Sequence, residues 1–420
     1  MIDSGVTREE VPPGYKRTDV GVIPDDWGVM MLPEACWFQE GPGLRQWQFK
    51  TSGMKVINVT NLENSVLNLD HTDRHIALSE FNRLYQHFAI DTGDMVMASS
   101  GNSYGKTAIV REQDLPLMMN TSVIRVKPTG ETVYGFLWAF LNSSLFKNQI
   151  DLMITGGAQP NFGPYHLKRV LLPFPSLPEQ RAIATALSDV DRLIGALDAL
   201  IEKKRAIKQA AMQQLLTGKT RLPGFEGKWS EKSLGELASI TMGQSPPSKY
   251  YNLHGDGLPL IQGNADLIER HTIARVWTTW AAKHCNAGDL LLTVRAPVGS
   301  VGIATQDSCL GRGVCGLKPL GDTAFLFQAL INSEAQWRIL EQGSTFTSAN
   351  SKQIEQFRLI CPEDEGEQHA IAAVLSDMDA EIAALERRRE KAEQIKQGMM
   401  QQLLTGRIRL VEPPEAGTVA

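Results

Sequence analysis

One loop of the sequence approaches a nucleotide-binding motif. Residues 100–107 read SGNSYGKT and end in Gly-Lys-Thr, as a phosphate-binding P-loop does, but Ser100 stands where that motif requires glycine. The segment also lies between two predicted strands instead of leading into a long helix. The corresponding loop of the second half, residues 295–301, contains no Lys-Thr pair. We therefore interpret residues 100–107 as a strand-connecting loop.

A second segment is faintly similar to the Asn-Pro-Pro-Tyr signature of amino methyltransferases. Residues 161–165 read NFGPY, so one proline is missing. No glycine-rich turn suited to S-adenosylmethionine accompanies the segment, which argues against a stand-alone methyltransferase. The eight histidines and five cysteines show no metal-ligand spacing and no Cys-x-x-Cys pair, which indicates a reduced protein without a zinc site.

Composition sets the class of protein in which these segments lie. The chain has 420 residues, of which 42% are hydrophobic and 21% charged, as in globular proteins of two or more domains. No apolar run reaches the roughly 18 residues of a membrane span, and no export signal begins the sequence, so we expect a cytoplasmic location. The net charge of −5 argues against coating nucleic acid nonspecifically, so any DNA binding must be local.

An internal duplication organises the chain. Residues 177–222 and 365–410 are identical at 26 of 46 positions without a gap, at a constant offset of 188 residues. Each copy has apolar residues at alternating steps of three and four, which predicts a long helix with a coiled-coil seam. A helix over 178–216 would be ~58 Å long at ~1.5 Å per residue. We expect the two similar helices to lie antiparallel.

The segments before each helix are weakly similar to each other. Short apolar runs with turn residues (KVINV, DMVMAS, SVIRVKP, PLIQG, DLLLTV and GVCGLKP) predict mostly β structure, with helices at 135–148 and 323–341. The fold class is therefore α+β, with two similar domains, which we call head one and head two. The predicted divisions are an arm (1–19), head one (20–176), the central helix (177–222), head two (223–362), the distal helix (363–410) and a flexible tail (411–420).

These features together resemble the specificity subunits of type I restriction-modification enzymes. The resemblance rests on Pro-Glu-Gln-x-x-Ile-Ala at 178–184 and on Gln-Gln-Leu-Leu-Thr-Gly at 213–218, both repeated in the second helix except for the proline. Segments 14–27, 243–252 and 288–293 are similar to parts of that family's target recognition domains. The resemblance covers nearly the whole chain.

The resemblance implies a DNA-reading subunit without a catalytic site. Each head would read one half of a bipartite double-stranded target, and the helices would set the unread gap and dock two methyltransferase subunits. S-adenosylmethionine would belong to those partners, which flip the target adenine out of the duplex, and ATP and Mg to separate motor-nuclease subunits. The apolar helix residues are the docking candidates: Ile183, Leu187, Ile194, Leu197, Ile371, Leu375, Ile382 and Leu385.

Polar side chains in strand-connecting loops are the candidates for DNA contact, since Arg and Lys pair with guanine and Asn and Gln with adenine. In head one they are Arg45, Gln46, Asn102, Tyr104, Lys106, Gln159 and Asn161. In head two they are Gln244, Lys249, Arg295, Thr345, Ser348 and Asn350. Lys106 and Arg295 would serve equally as phosphate anchors, which position a protein without reading sequence.

The acidic composition keeps a second hypothesis open. In it, the chain is a coiled-coil scaffold whose two β heads bind proteins instead of DNA. Absence of DNA binding by the assembled complex would favour this alternative.

Overall fold

The computed structural model of the protein describes residues 11–154, 160–337 and 348–412. The chain divides into two compact units, one formed by Met1–Ala196 with Arg389–Ala420 and the other by Leu197–Arg388. Each unit therefore contains one head, the beginning of one long helix and the end of the other. None of the helices in the described ranges is long and apolar enough to cross a membrane.

Head one is built from short strands and short helices. Its strands are β1 (Tyr15–Thr18), β2 (Gly21–Pro24), β3 (Gly28–Met31), β4 (Cys36–Glu40), β5 (Met54–Ile57), β6 (Leu62–Glu63), β7 (Val66–Leu67), β8 (His75–Ile76), β9 (Ala89–Ile90), β10 (Met95–Ala98), β11 (Thr107–Ile109), β12 (Leu117–Met119), β13 (Val123–Pro128) and β14 (Leu171–Phe174). Its helices are α1 (Leu32–Ala35), α2 (Leu78–Glu80), α3 (Tyr134–Leu141), α4 (Ser144–Met153) and α5 (Pro164–Leu167).

The central long helix α6 (Leu177–Leu215) leads into head two. The strands of head two are β15 (Trp229–Ser233), β16 (Ala238–Met242), β17 (Tyr251–Asn252), β18 (Leu258–Ile261), β19 (Leu267–Ile268), β20 (His271–Thr272), β21 (Trp277–Thr278), β22 (His284–Cys285), β23 (Leu290–Thr293), β24 (Val301–Ile303), β25 (Ser308–Leu310), β26 (Val314–Pro319) and β27 (Arg358–Pro362). Its helices are α7 (Leu234–Leu237), α8 (Thr323–Asn332) and α9 (Ser351–Glu355), and the distal long helix α10 (Glu365–Leu403) follows.

The two heads share one sheet topology. One sheet of head one has the order β11-β10-β13-β4, and head two repeats it as β24-β23-β26-β16 within a larger sheet. The second sheet of each head contains one parallel pair, β5 with β12 and β18 with β25, in which Met119 lies opposite Ile57 and Leu310 opposite Ile261. The α+β class with two similar heads is confirmed, and the strand order is a feature that the apolar runs did not reveal.

Each of the six apolar runs that predicted strands overlaps one. They correspond to β5, β10, β13, β18, β23 and β26. The predicted helix at 135–148 is two helices, because α3 ends at Leu141 and the Ser143 hydroxyl accepts a hydrogen bond from Phe146 N to cap α4. Of the predicted helix at 323–341, α8 covers Thr323–Asn332, a turn at Ser333 interrupts it, and residues 334–337 are helical again, while residues 338–341 lie outside the described residues.

Ion pairs between the two long helices show in which directions the helices run. In the second unit, Lys204 Nζ lies 2.6 Å from Glu381 and Lys208 Nζ lies 2.5 Å from Asp379. A later position on α6 thus pairs with an earlier position on α10. The first unit repeats one contact at the offset of the duplication, since Lys396 lies 2.6 Å from Asp191. The helices are antiparallel, as predicted.

A buried carboxylate anchors the beginning of each long helix. In the first unit, Glu179 is 1% exposed and accepts hydrogen bonds from Arg409 Nη2 (2.7 Å) and from Trp27 Nε1 (2.9 Å). Arg409 also binds Asp26 through both Nη atoms, at 2.9 Å each. Partial burial opposes the charge of Arg409, but these hydrogen bonds outweigh it and raise the pKa of the guanidinium. We call this group the carboxylate clamp.

The second unit contains the equivalent clamp. Glu367 is fully buried and accepts a hydrogen bond from Arg221 Nη2 at 2.6 Å, with the Arg221 guanidinium 5.7 Å from the centre of the Trp229 ring. In each clamp the glutamate begins one long helix, and the arginine lies beyond the end of the other. The glutamate and the arginine are identical in the two copies of the duplication, so the same contact forms twice.

The apolar helix residues predicted to dock partners are used largely within the chain itself. Ile183 and Leu187 belong to the core of head one, and Ile371 and Leu375 to the core of head two. Leu197 and Ile382 are also buried, and Ile194 and Leu385 are half-buried. For the six buried residues this prediction is corrected, because buried side chains offer no surface to a partner, whereas docking through Ile194 and Leu385 remains a prediction.

The predicted boundary after the N-terminal arm is also corrected. Strands β1 and β2 form a hairpin across residue 19, with Thr18 opposite Gly21. The Tyr15 hydroxyl donates a hydrogen bond to the Gly406 carbonyl oxygen at 2.8 Å, which ties this hairpin to the end of α10. Residues 15–19 are thus part of the first unit, whereas residues 1–10 and 413–420 lie outside the described residues.

The carboxylate clamp yields a stability prediction. Arg409→Met should lower the free energy of unfolding by about 3 kcal/mol, because Glu179 would remain buried without its cation. Adding Glu179→Gln to that variant should recover part of the loss. Urea denaturation monitored by tryptophan fluorescence measures both effects.

Arg407→Met is the matched control, since Arg407 is exposed and only two residues away. Equal destabilisation by the two arginine variants would show that the clamp contributes nothing specific.

Candidate nucleic-acid interface

Two distant segments of head one meet beside the end of β10. Ser100 and Asn161 form an isolated antiparallel bridge, and Phe162 N donates to the Ser99 carbonyl oxygen at 3.0 Å. The loop that carries Asn102 and Lys106 is therefore held against the segment that carries Asn161. Sequence reasoning selected residues from both segments without predicting this contact.

Head two contains the equivalent arrangement. Arg295 and Ser348 form the corresponding bridge, and Ala349 N donates to the Val294 carbonyl oxygen at 2.8 Å. Both bridges join the loop after a central buried strand, β10 or β23, to the segment before a short helix, α5 or α9. Two candidates, Arg295 and Ser348, are thus adjacent in the fold although 53 residues separate them in the chain.

In each head a third segment, which begins at Gly41 or at Gly243, packs its backbone closely against the backbone of a neighbouring loop. Gly41 N donates to the Val123 carbonyl oxygen at 3.0 Å, and Gly243 N to that of Val314 at 3.1 Å. A Cβ atom at Gly41 would lie 2.0 Å from Asn120 O, and one at Gly243 would lie 2.1 Å from Gly311 O. Only glycine fits at these positions, which begin the loops leading to Arg45 and Gln244.

Most of the predicted contact residues are exposed. The ten exposed candidates are Arg45, Gln46, Asn102, Lys106, Asn161, Gln244, Lys249, Arg295, Ser348 and Asn350. Gln159 and Thr345 lie outside the described residues. Exposure is what a DNA contact requires, and the contacts themselves remain a prediction.

Tyr104 is half-buried and has a structural role, while its predicted contact with DNA remains a prediction. Its hydroxyl donates to Asp151 Oδ1 at 2.7 Å, and its ring packs edge-on against Phe162 at 5.6 Å between centroids. Burial, assisted by the hydrogen bond to Asp151, raises the pKa of the phenol. Tyr104 therefore fixes the loop that presents Asn102 and Lys106.

Asn350 is also engaged by the chain itself. Its side-chain oxygen accepts a hydrogen bond from Gln353 N at 2.9 Å, which caps α9. The amide nitrogen of this exposed side chain makes no hydrogen bond among the described residues and is the group best placed to contact a ligand.

Lys249 belongs to an aromatic group. Its ammonium lies 4.9 Å from the centre of the Tyr250 ring, and that ring stacks on Trp280 at 6.2 Å. The lysine is therefore positioned by Tyr250, and stays exposed.

Sequence reasoning missed Arg312. This exposed residue lies between Gly311 and Gly313, and its backbone N and side-chain Nε both donate to Ser245 Oγ at 3.2 Å. Ser245 follows Gln244, so the hydrogen bonds bring another cation to the loops of head two. The Gly-Arg-Gly sequence was the signal that could have identified it.

Comparisons with known proteins agree with this duplicated arrangement. The family model described as the type I restriction modification DNA specificity domain matches the chain twice, at residues 24–205 and 226–397. The chain belongs to this family, and it is accordingly a DNA-specificity subunit that recognises sequence while partner subunits carry out catalysis.

Two curated relatives carry the same description. The chain is 29% identical over 415 residues to a putative type I restriction enzyme MjaX specificity subunit of Methanocaldococcus jannaschii, covering 94% of this chain and 97% of the relative. It is 24% identical over 255 residues to the type I restriction enzyme EcoKI specificity subunit of Escherichia coli K12, covering 58% of this chain and 54% of the relative.

Solved structures support the fold. One solved structure is described as the structural basis underlying complex assembly and conformational transition of the type I R-M system. A chain of that structure has a TM-score of 0.59 at 23% identity, over 92% of this chain and 99% of that one. The S subunit of a type I restriction-modification system from M. genitalium has a TM-score of 0.56 at 15% identity, over 90% and 96% of the two chains.

The bridge between Arg295 and Ser348 yields a prediction for head two. Arg295→Ala should weaken DNA binding by the assembled complex by about 1–3 kcal/mol, because an exposed cation beside a polar loop contacts either a base or a phosphate. Fluorescence anisotropy with duplexes that contain the target measures the change at fixed salt. Lys318→Ala, which removes an exposed cation from β26, is the control, and equal losses in both variants would contradict a specific role for Arg295.

Proposed function

We propose that each head reads one half of a bipartite DNA target and that the antiparallel helices set the unread gap. The observation that carries this proposal is the repetition of one loop arrangement in two heads of the same topology. Both arrangements join a loop after a central strand to a segment before a short helix, and both carry exposed Arg, Lys, Asn or Gln side chains. Side chains of these types read base edges.

Differences between the two arrangements support two different half-sites. The bridge consists of Ser100 and Asn161 in head one, but of Arg295 and Ser348 in head two. An arginine pairs with guanine, whereas an asparagine pairs with adenine. The heads therefore present different chemistry on the same framework, as an asymmetric target requires.

In this proposal the helices also dock two methyltransferase subunits, which bring S-adenosylmethionine and methylate adenine. With motor-nuclease subunits that use ATP and Mg, the same recognition directs restriction, and the complex acts in the cytoplasm.

The exposed apolar residues of the helices are better candidates for docking the methyltransferase subunits than the buried ones. On α6 these are Leu193, Leu200 and Ile207, seven residues apart and 42%, 38% and 45% exposed.

The net charge of −5 is compatible with a local contact of this kind. Ion pairs neutralise many helix cations, among them Lys204, Lys208 and Lys396. Arg295 forms no ion pair among the described residues and is exposed, so it is available to a polyanion. DNA is therefore favoured over a protein as the partner of the heads.

Deletion of the gene tests the proposal directly. We expect one bipartite adenine-methylation motif to disappear from the methylome of the host and to return when the gene is restored. Single-molecule sequencing measures every motif in one experiment. An unchanged methylome would contradict the proposal.

An insertion tests the spacer. Four residues added after Ala206, with a matching four after Ala380, should change the gap by one or two base pairs, since four helical residues rise ~6 Å and one base pair rises ~3.4 Å. These sites face each other, because Lys204 pairs with Glu381 and Lys208 with Asp379. The methylome should show both half-sites unchanged, and an altered half-site would contradict the modular role of the helices.

A further inference from the structure

Head one contains a polar pocket that none of the predicted contact residues lines. Its volume is about 500 Å³, and its walls include Asn58, Arg74, Ser100 and Asn120. Ser100 is also the residue that bridges to Asn161, so the pocket adjoins the loops of the candidate interface.

Arg74 brings an available guanidinium to this pocket. It is exposed, and no ion pair or side-chain hydrogen bond engages it among the described residues. The neighbouring acid, Asp73, lies within 3.7 Å of Lys55 and 3.6 Å of His75 instead. Arg74 therefore retains its hydrogen-bond donors for a ligand.

The side chain of Arg74 is nevertheless positioned. Its guanidinium carbon lies 5.1 Å from the centre of the Phe49 ring, a cation–π distance. Its carbonyl oxygen accepts a hydrogen bond from Val56 N at 2.8 Å, which fixes the backbone beside β5. A guanidinium held in this way loses little conformational entropy when it binds.

Asn120 supplies the second, independent observation. It is 7% exposed, and its Nδ2 donates to Asn58 Oδ1 at 2.8 Å. Its Oδ1 is buried and has no hydrogen-bond partner among the described residues. A buried acceptor without a partner is costly, and a donor on a bound ligand would satisfy it.

The two residues together match one base pair. In the major groove a G·C pair presents two acceptors, guanine N7 and O6, and one donor, the cytosine N4 amino group. Arg74 offers two parallel donors and Asn120 offers one acceptor. A phosphate presents acceptors only, so it would satisfy Arg74 and leave Asn120 Oδ1 unpaired.

The corresponding pocket of head two has different chemistry. It has a volume of about 530 Å³ and includes Arg275 and Asp266 in its walls. Arg275 lies 3.6 Å from Asp266 Oδ1 and donates to the Ala265 carbonyl oxygen at 3.2 Å. Gly311 follows β25 where Asn120 follows β12, so head two has no amide at the position of Asn120, although Gln262 and Asn264 line its pocket, and its arginine is already paired.

We propose that Arg74 and Asn120 form a subsite of head one that reads one G·C pair of its half-site. This inference rests on the proposed function, because it requires head one to lie on DNA. Arg74 determines specificity by pairing with guanine, and Asn120 by accepting from cytosine.

The test uses the complex reconstituted from the full chain and its methyltransferase partners, with target duplexes substituted one base pair at a time. For the wild type, replacing one G·C pair of the head-one half-site by A·T should weaken binding about 10- to 100-fold. Arg74→Ala should abolish the discrimination at that position alone. Arg74→Lys should keep the salt dependence of binding and lose most of the discrimination, because lysine has no bidentate fork.

Arg83→Ala and Arg275→Ala are the controls. Arg83 is exposed in head one outside the pocket, and Arg275 is paired in head two, so both variants should keep the head-one discrimination. Retained discrimination in the second half-site shows that an Arg74 variant is folded.

Equal weakening of all duplexes by Arg74→Ala would identify a phosphate contact and overturn the proposal, as would a head-one half-site without a discriminated G·C pair. Absence of any bipartite preference in the wild type would instead contradict the proposed function itself.

Discussion

The structure depends on two buried carboxylates, Glu179 and Glu367, each of which begins one long helix and binds an arginine from beyond the end of the other. A buried carboxylate is stable only when it is paired, so each unit requires the start of one helix and the end of the second. This requirement explains why the beginning and the end of the duplicated segment are its most similar parts. It also explains why each head is completed by residues distant in sequence, such as Arg409 for head one.

Polar residues at further identical positions of the duplication support the same framework. Gln180 accepts from Val133 N and donates to the Pro175 carbonyl oxygen, and its equivalent Gln368 donates to that of Pro362. These buried amides connect each helix to the strand that precedes it. The heads, by contrast, keep a common sheet topology and differ at the ends of the strands. Similar sequence therefore marks the framework, and different sequence marks the surfaces that we propose as the DNA-reading ones.

The sequence predicted those parts of the fold that depend on local periodicity. Apolar residues three and four positions apart, such as those around Leu187 and its equivalent Leu375, identified both long helices. The short apolar runs identified the central strands. The strand order was not predictable, because pairing between β5 and β12 depends on residues some sixty positions apart. The docking surface was misassigned for a related reason: an apolar seam looks the same in sequence whether it faces a partner or the chain's own core, as Ile183 does.

The candidate contact residues fall into two groups, those with available polar atoms and those with polar atoms engaged within the chain. Arg295 and Lys249 are exposed loop cations, which composition and turn residues indicate. Tyr104 and Asn350 also lie in polar loops, but the Tyr104 hydroxyl binds Asp151 and the Asn350 side-chain oxygen accepts from Gln353 N. Arg74 was overlooked because nothing in its neighbourhood in the sequence indicates that Phe49 positions it or that Asn120 lies in the same pocket. A residue can read a base only with hydrogen-bond donors and acceptors that the folded chain leaves unpaired. Only the tertiary structure shows which donors and acceptors these are.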